Sequence, residues 1–323
     1  MNMRTARIGG LNKELSRIVL GCDSDPFRKG EDLDGFLEQA LDLGVNVFDT
    51  AHKYGESETV IGHFLRNHPE AREKMVIISK GCHPVMGVSR LTPNVLRQEL
   101  DASFGRLGTD YIDIYFLHRD DHKADLKEIL SILNQYQKAG KIGVYGGSNW
   151  RSDRIEEANR IAKENGFAPF MVSSPNYSLA VWERDPWGGG EGCVSVNEKG
   201  CSKEYDYYKK TQMPIFTYSS LARGFFSGKV HYDTYSEEKK NLKLDCKFAY
   251  ESKENLERLK RAEELALKHK ASVSQIALAY LLNQPLQVFP IVATTNIDRL
   301  KSNLAACDIV LSPEELSYLS YKE

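Results

Sequence analysis

Gly44-Val45-Asn46-Val47-Phe48-Asp49-Thr50-Ala51-His52-Lys53-Tyr54-Gly55 brings a short apolar run, an acid and a phenol together. Val45, Val47 and Phe48 follow a glycine and are β-prone, the mark of a buried strand. The run ends in Asp49, and Tyr54 comes after four further residues. A helical pattern opens at Ser57-Glu58-Thr59-Val60-Ile61. A carboxylate at a strand tip and a phenol in the next loop can face one pocket. Taken alone, the same residues read equally well as a capping Asp and a half-buried surface Tyr.

The flanking sequence extends the pattern. Upstream, Ile18-Val19-Leu20-Gly21 reads as a first buried strand, preceded by a small hairpin around Gly9-Gly10. Leu33, Phe36, Leu37, Ala40 and Leu41 then recur at helical spacing between Asp32 and Leu43. Downstream, strands are predicted at Met75-Val76-Ile77-Ile78-Ser79-Lys80, Asp113-Ile114-Tyr115-Phe116-Leu117-His118 and Ile142-Gly143-Val144-Tyr145-Gly146. Three more follow at Met171-Val172-Ser173-Ser174, Pro214-Ile215-Phe216-Thr217-Tyr218 and Val288-Phe289-Pro290-Ile291-Val292. Helices fill the intervals. Thr92-Pro93 offers an N-cap followed by a proline at the first helical position. Ser272 with Gln275, and Ser312 with Glu315, have the spacing of capping boxes. Eight strands separated by helices at a near-constant period predict a parallel sheet with right-handed crossovers, closed into a (β/α)8 TIM barrel. Wider gaps after the sixth and seventh strands predict extended loops there. The whole chain, 1–323, reads as a single barrel domain. A doubly wound dinucleotide fold would show GxGxxG after its first strand, and none occurs; Gly188-Gly189-Gly190-Glu191-Gly192 follows no strand.

Composition narrows the function classes. With 43 basic and 45 acidic side chains, the net charge of −2 gives no reason to expect nucleic acid or an anionic membrane as partner. No apolar run approaches the ~20 residues a bilayer requires. Met1-Asn2-Met3-Arg4-Thr5 has no apolar secretion segment, and the 6 cysteines lack CxxC spacing. A cytoplasmic protein with free thiols is expected. His52, His63 and His68 lack an HxH or HExxH arrangement, which leaves a metal-dependent barrel hydrolase a distant alternative.

Barrels of this kind place their active sites at the C-terminal ends of the strands. Those ends supply Asp49 with Tyr54, then Lys80, His118, Ser148-Asn149, Ser174, Tyr218 and Thr294-Thr295. A tyrosine with an ordinary pKa of about 10 is a poor proton donor at neutral pH. A neighbouring lysine cation stabilises the phenolate and draws that value down. Asp49 would hold Lys80 charged, and His118 would orient a substrate oxygen. This is equipment for protonating an alkoxide formed at a carbonyl, or for the reverse. No side chain supplies a hydride, so a nicotinamide cofactor is implied. Tyr218 offers a face for stacking its ring, and Ser148 and Asn149 can hydrogen-bond its carboxamide.

On these residues the chain resembles the aldo-keto reductases along nearly its whole length. Phe48-Asp49-Thr50-Ala51 through Tyr54-Gly55, with Ser57-Glu58 and Ile61-Gly62, is similar to that family's first signature. Leu107-Gly108-Thr109-Asp110-Tyr111-Ile112-Asp113 through His118 is similar to the stretch carrying its histidine. Gly146 to Asn149, Tyr218-Ser219-Ser220-Leu221-Ala222-Arg223-Gly224 and Thr294 to Asn303 resemble its cofactor segments. The resemblance implies a catalytic tetrad of Asp49, Tyr54, Lys80 and His118, with Tyr54 as general acid/base. It further implies cofactor contacts from Ser148, Asn149, Ser174, Tyr218, Ser219, Leu221, Arg223, Thr294, Arg299 and Asn303. Two positions depart from the family pattern. Ser174 stands where many members carry a glutamine that contacts the carboxamide. Ala293 stands where many carry a lysine on the adenosine 2′-phosphate. The absence of an acid between Val292 and Ile297, together with Arg299, still favours NADP over NAD. The expected activity is hydride transfer between NADP(H) and a small aldehyde, ketone or sugar-type carbonyl. The alternative is a non-catalytic, regulatory cofactor-binding barrel. The long segment with Trp182, Trp187 and Cys193 is expected either to pack as a lid or to offer aromatic faces to a sugar ring.

Overall fold

The computed structural model describes residues 4–186 and 192–320; Trp187 lies outside them. Strands β1 (Thr5–Ala6) and β2 (Leu15–Ser16) form an antiparallel hairpin with Thr5 opposite Ser16. Eight parallel strands follow: β3 (Val19–Gly21), β4 (Val47–Asp49), β5 (Val76–Gly81), β6 (Ile112–Leu117), β7 (Ile142–Ser148), β8 (Val172–Ser174), β9 (Ile215–Thr217) and β10 (Val288–Val292). They pair in chain order, and β10 closes on β3, making a (β/α)8 barrel. Each expected strand is found with its ends moved by up to two residues; Val45 and Asn46, for example, precede β4.

The barrel interior is filled by Val19, Val47, Val76, Ile78, Ile114, Phe116, Val144, Val172, Phe216, Phe289 and Ile291. Ile8, Leu11 and Leu15 of the hairpin belong to the same cluster, so the hairpin plugs the end where the strands begin. Polar contacts fix the plug: Lys13 Nζ donates to Met75 O at 2.7 Å, and Asn46 Nδ2 donates to Glu14 O at 2.7 Å. The barrel wall has no room to spare at Gly146, where a Cβ would lie 1.8 Å from Val172 O.

Helices cover the outside for reasons legible in their ends. Thr92 Oγ1 accepts from Val95 N to open Pro93–Leu107. Both expected capping boxes are present, at Ser272 with Gln275 and at Ser312 with Glu315. Between β8 and the helix Lys203–Thr211, the described stretches 175–186 and 192–202 lie on the rim. Val196 N donates to Asn176 O and Asn176 N to Val194 O, each at 2.8 Å. Asn255, on the helix Lys253–His269, holds both the amide and the carbonyl of Val181 at 2.8 Å. Trp182 is buried and donates its indole N–H to Tyr250 Oη at 2.8 Å. Its face is therefore packing surface, and of the two expectations for this loop Trp182 meets the lid-packing one.

Candidate active site

Three strand ends and one loop bring the four expected catalytic side chains together. Asp49 ends β4, Lys80 is the penultimate residue of β5, and His118 directly follows β6. His118 N donates to Gly81 O at 2.8 Å, which continues the β5–β6 pairing to the site itself. Tyr54 is delivered by a tight loop. His52 N donates to Lys80 O at 2.9 Å, Tyr54 N to Ala51 O at 3.0 Å, and Thr50 Oγ1 to Ser57 Oγ at 2.7 Å. The glycine after Tyr54 is required there. Gly55 has φ of +57°, and a Cβ would lie 2.5 Å from Arg28 O.

The contacts run in a chain. Lys80 Nζ donates to Asp49 Oδ1 at 2.6 Å, to Thr50 O at 3.0 Å and to Tyr54 Oη at 3.4 Å. The ammonium also sits 4.8 Å from the centre of the Tyr54 ring. The His118 ring stands edge-on to Tyr54, with centroids 5.7 Å apart. Burial disfavours both charges of the lysine–aspartate pair and pushes the Asp49 carboxyl up, with Lys80 pulling the other way. For Lys80 burial is outweighed by Asp49 and Tyr54, so the ammonium is held above its ordinary value. The pair stays ionised because its charges lie 2.6 Å apart and two further acceptors complete the ammonium.

Tyr54 differs from the sequence expectation. Burial is the largest influence and pushes its hydroxyl up to about 12, although Lys80 acts downward as expected. The phenol is thus held in its proton-bearing form. Burial, then the Arg119 and Lys80 cations, drive His118 well below its ordinary value, leaving a neutral imidazole. Two further residues beside the tetrad, Arg119 buried and His83 half-buried, were not singled out from sequence. Arg119, whose only signal was its place next to His118, donates to His118 O at 2.8 Å. His83, three residues beyond Lys80, stands edge-on to His118 at 4.6 Å and is half-buried.

Four of the expected cofactor residues form one connected group. Asn149 has φ of +60°, and its Oδ1 accepts from Tyr218 Oη at 2.6 Å and from Val194 N at 3.1 Å. Asn149 Nδ2 donates to Ser148 Oγ at 3.1 Å, and Ser148 Oγ donates to Ser174 O at 3.0 Å. The next segment is strained: Ser219, Ala222 and Arg223 all have φ between +49° and +54°. Arg223 is ion-paired with Asp245, and Leu221 packs half-buried against the outer core. Beyond β10, Thr294 is buried and its Oγ1 accepts from Asn296 N at 3.1 Å. Asn296 caps the helix Ile297–Leu304 through Arg299 N at 2.8 Å. Arg299 is exposed on that helix, and Asn303, one turn later, is buried.

The model of one protein family, described as the aldo/keto reductase family, matches residues 23–322. The chain belongs to the aldo/keto reductase family. A putative aryl-alcohol dehydrogenase of Schizosaccharomyces pombe is 28% identical, with 97% of this chain and 93% of that protein aligned. A probable aldo-keto reductase of Glycine max is 28% identical across 97% of this chain and 87% of its own. A versiconal hemiacetal acetate reductase of Aspergillus parasiticus is 27% identical across 98% and 96%. As an aldo/keto reductase the protein is an NAD(P)-dependent oxidoreductase of small carbonyl and alcohol compounds.

The residues present fit a nicotinamide dinucleotide. Ser174 Oγ and His118 Nδ1 are buried side-chain atoms without a protein hydrogen-bond partner, one at the expected carboxamide position and one in the tetrad. Among the described residues no helix is long and apolar enough to cross a membrane. Nor do they include a group of three or more His, Cys, Asp or Glu side chains that could hold a metal ion.

Proposed function

We propose that this aldo/keto reductase interconverts a small aldehyde or ketone and its alcohol, with NADP(H) preferred over NAD(H) and Tyr54 as the proton donor and acceptor. The observation that carries the reading is the contact chain Asp49–Lys80–Tyr54, with the neutral His118 ring edge-on to the phenol. A bound nicotinamide would supply, or in the reverse direction take up, the hydride. The protein's share is the proton and the geometry. Tyr54 gives its proton to the carbonyl oxygen as that oxygen gains charge, and the Lys80 cation stabilises the phenolate left behind. Asp49 keeps that cation in place. His118, neutral and rigidly bonded through its backbone, offers one N–H to orient the same oxygen.

For the cofactor, Ser148, Asn149 and Ser174 would hold the carboxamide, and Tyr218 would present its face to the ring. The shorter Ser174 side chain, in place of a glutamine, leaves its unpartnered hydroxyl for that role. Ser219, Leu221 and Arg223 would line the diphosphate stretch. Thr294, Arg299 and Asn303 would meet the adenosine end, where a helix N-terminus favours an anion.

The test is loss of reduced-nicotinamide absorbance with a panel of aromatic and aliphatic aldehydes, ketones and sugars, run with both cofactors. Turnover of at least one carbonyl class, faster with NADPH, is expected. Tight cofactor binding without turnover of any would instead favour the regulatory, cofactor-binding barrel.

A further inference from the structure

The loop that delivers Tyr54 is gripped from the helix side of the barrel wall by a side chain that the proposed chemistry leaves unused. Arg106 lies in the last turn of the helix Pro93–Leu107, and Glu58 in the first turn of the helix Ser57–Asn67. The two helices pack without a gap there: a Cβ on Gly62 would lie 2.1 Å from Arg106 O. Arg106 Nε ion-pairs with the buried Glu58 at 3.3 Å, and the other oxygen of that carboxylate accepts from Ser79 Oγ, on β5, at 2.6 Å. The rest of the guanidinium meets His52, two residues before Tyr54. Nη1 donates to His52 O at 3.5 Å, and Nη2 donates to His52 Nδ1, with Nε2 farther off at 3.3 Å. A guanidinium can only donate, so Nδ1 is the acceptor and Nε2 carries the ring proton. Nε2 in turn lies 3.9 Å from Glu99 Oε1. The same oxygen of this buried carboxylate accepts from Arg90 Nη2 at 2.7 Å, and the other accepts from Cys82 N at 2.6 Å. Burial lowers the His52 pKa, with Glu99 opposing it and Arg106 reinforcing it, so the ring is neutral.

We propose that Arg106 is a positioning residue for the reaction: acting through His52, it keeps the Tyr54 hydroxyl within reach of the Lys80 ammonium. This rests on the reading of Tyr54 as proton donor and deepens it. The Lys80–Tyr54 contact, at 3.4 Å, is the longest of the three the ammonium makes, so a small retreat of the loop loses it first. On the far side of Tyr54 the loop is held by main chain alone, where Glu56 N donates to Arg28 O at 3.1 Å. On the near side His52 N is fixed to Lys80 O, and Arg106 holds both the carbonyl and the ring of the same residue. An ion pair with Glu58 would suffice to fasten one helix to the other. It would not account for the two contacts to His52, which the planar fork of an arginine makes at once and a lysine could not.

Two measurements on the full chain test this, each with Arg106→Met and with His52→Ala. The second variant breaks the link while leaving the Glu58–Arg106 pair intact, so it folds even where loss of Arg106 is too costly. The first measurement is the NMR resonance of the Tyr54 hydroxyl-bearing carbon in isotope-labelled tyrosine at neutral pH, assigned by its absence in Tyr54→Phe. Both variants are expected to move it, and an unmoved resonance overturns the proposal. The second is a double-mutant cycle on aldehyde reduction with NADPH. Turnover is expected to fall about 10-fold with KM within twofold of wild type, since misplacing a reacting group by about 1 Å can cost ~10²-fold. On the Tyr54→Phe background the same substitutions are expected to cost nothing further, because the group they position is gone. A purely structural role would give the same loss on both backgrounds, and that result also overturns the proposal. If no aldehyde is reduced, the reading of the reaction fails, while the resonance still decides whether Arg106 positions Tyr54.

Discussion

Tyr54 rests in its proton-bearing form, the form that donates in carbonyl reduction. With its hydroxyl pushed up to about 12 by burial, it is protonated throughout the neutral range. Tyr54→Phe keeps the ring and removes only the proton. It is expected to leave cofactor affinity nearly unchanged while turnover falls by ~10²-fold or more. Steady-state kinetics within a few-fold of wild type would take Tyr54 out of the role. Lys80 acts on the phenol in the opposite direction from burial, since its cation favours the phenolate. Removing that cation raises the tyrosine pKa further. In the alcohol-oxidation direction, where the phenolate is the base, the pH–rate profile of Lys80→Met is therefore expected to shift to higher pH. The same substitution leaves Asp49 buried without its partner, and a destabilisation of about 3 kcal/mol by urea unfolding is expected. An unmoved profile would sink the electrostatic assignment. The sequence identified the four residue types and the downward pull of the lysine. It could not give the net sign for Tyr54, because burial is set by neighbours that only the closed barrel assembles.

At the level of elements, the adenosine end of the expected cofactor site rests on the short helix Ile297–Leu304. Its N-terminus is capped by Asn296, Ala293 is exposed just after β10, and Arg299 is exposed one turn into the helix. No lysine at position 293 is available to a 2′-phosphate, so discrimination falls on Arg299 and the helix end. Arg299→Ala is expected to weaken NADP binding by roughly one to two decades, the value of one charge-assisted contact, and to leave NAD nearly unaffected. Titration of cofactor fluorescence quenching reads both; an equal loss for the two cofactors would refute the assignment. The capping boxes and the strand ends at Asp49, Lys80 and His118 were legible because their signals are local. The loop carrying His83 was not. Its turn uses a left-handed Cys82 where a glycine would have announced it, and the supporting Glu99 lies 17 residues further on.

Over the whole molecule, the period of the strands was enough to foresee closure of the barrel, because helix-covered parallel strands read as continuous apolar runs. The tightness of that closure was not visible. Gly146 occupies a point where β7 and β8 approach so closely that a methyl group would overlap Val172 O. Gly146→Ala is expected to cost at least about 3 kcal/mol and to lower soluble yield, since backbone and not a flexible side chain would have to move. Gly105 is the contrast. It lies inside the helix Pro93–Leu107, and a Cβ there meets nothing within 4 Å. Gly105→Ala is expected to stabilise by roughly 0.5–1 kcal/mol through helix propensity. Urea unfolding of the pair checks both signs, and equal effects would mean that the crowding at Gly146 is relieved by breathing of the sheet.

The stitching of the rim stretches 175–186 and 192–202 has a consequence for how such enzymes can be recombined. Its fasteners are remote in sequence: Asn149 holds the amide of Val194, Tyr250 holds the indole of Trp182, and Asn255 holds both main-chain groups of Val181. The heritable unit is therefore discontinuous. A chimera that transplants only the contiguous stretch separates donors from acceptors at these three places, and also at Leu179 O, which accepts from Arg258 Nη1 at 3.0 Å, whereas one that carries positions 149, 250, 255 and 258 along with it keeps these pairs together. Shuffling libraries cut at the visible loop boundaries would separate these partners, and crossover points chosen around those residues would keep them together.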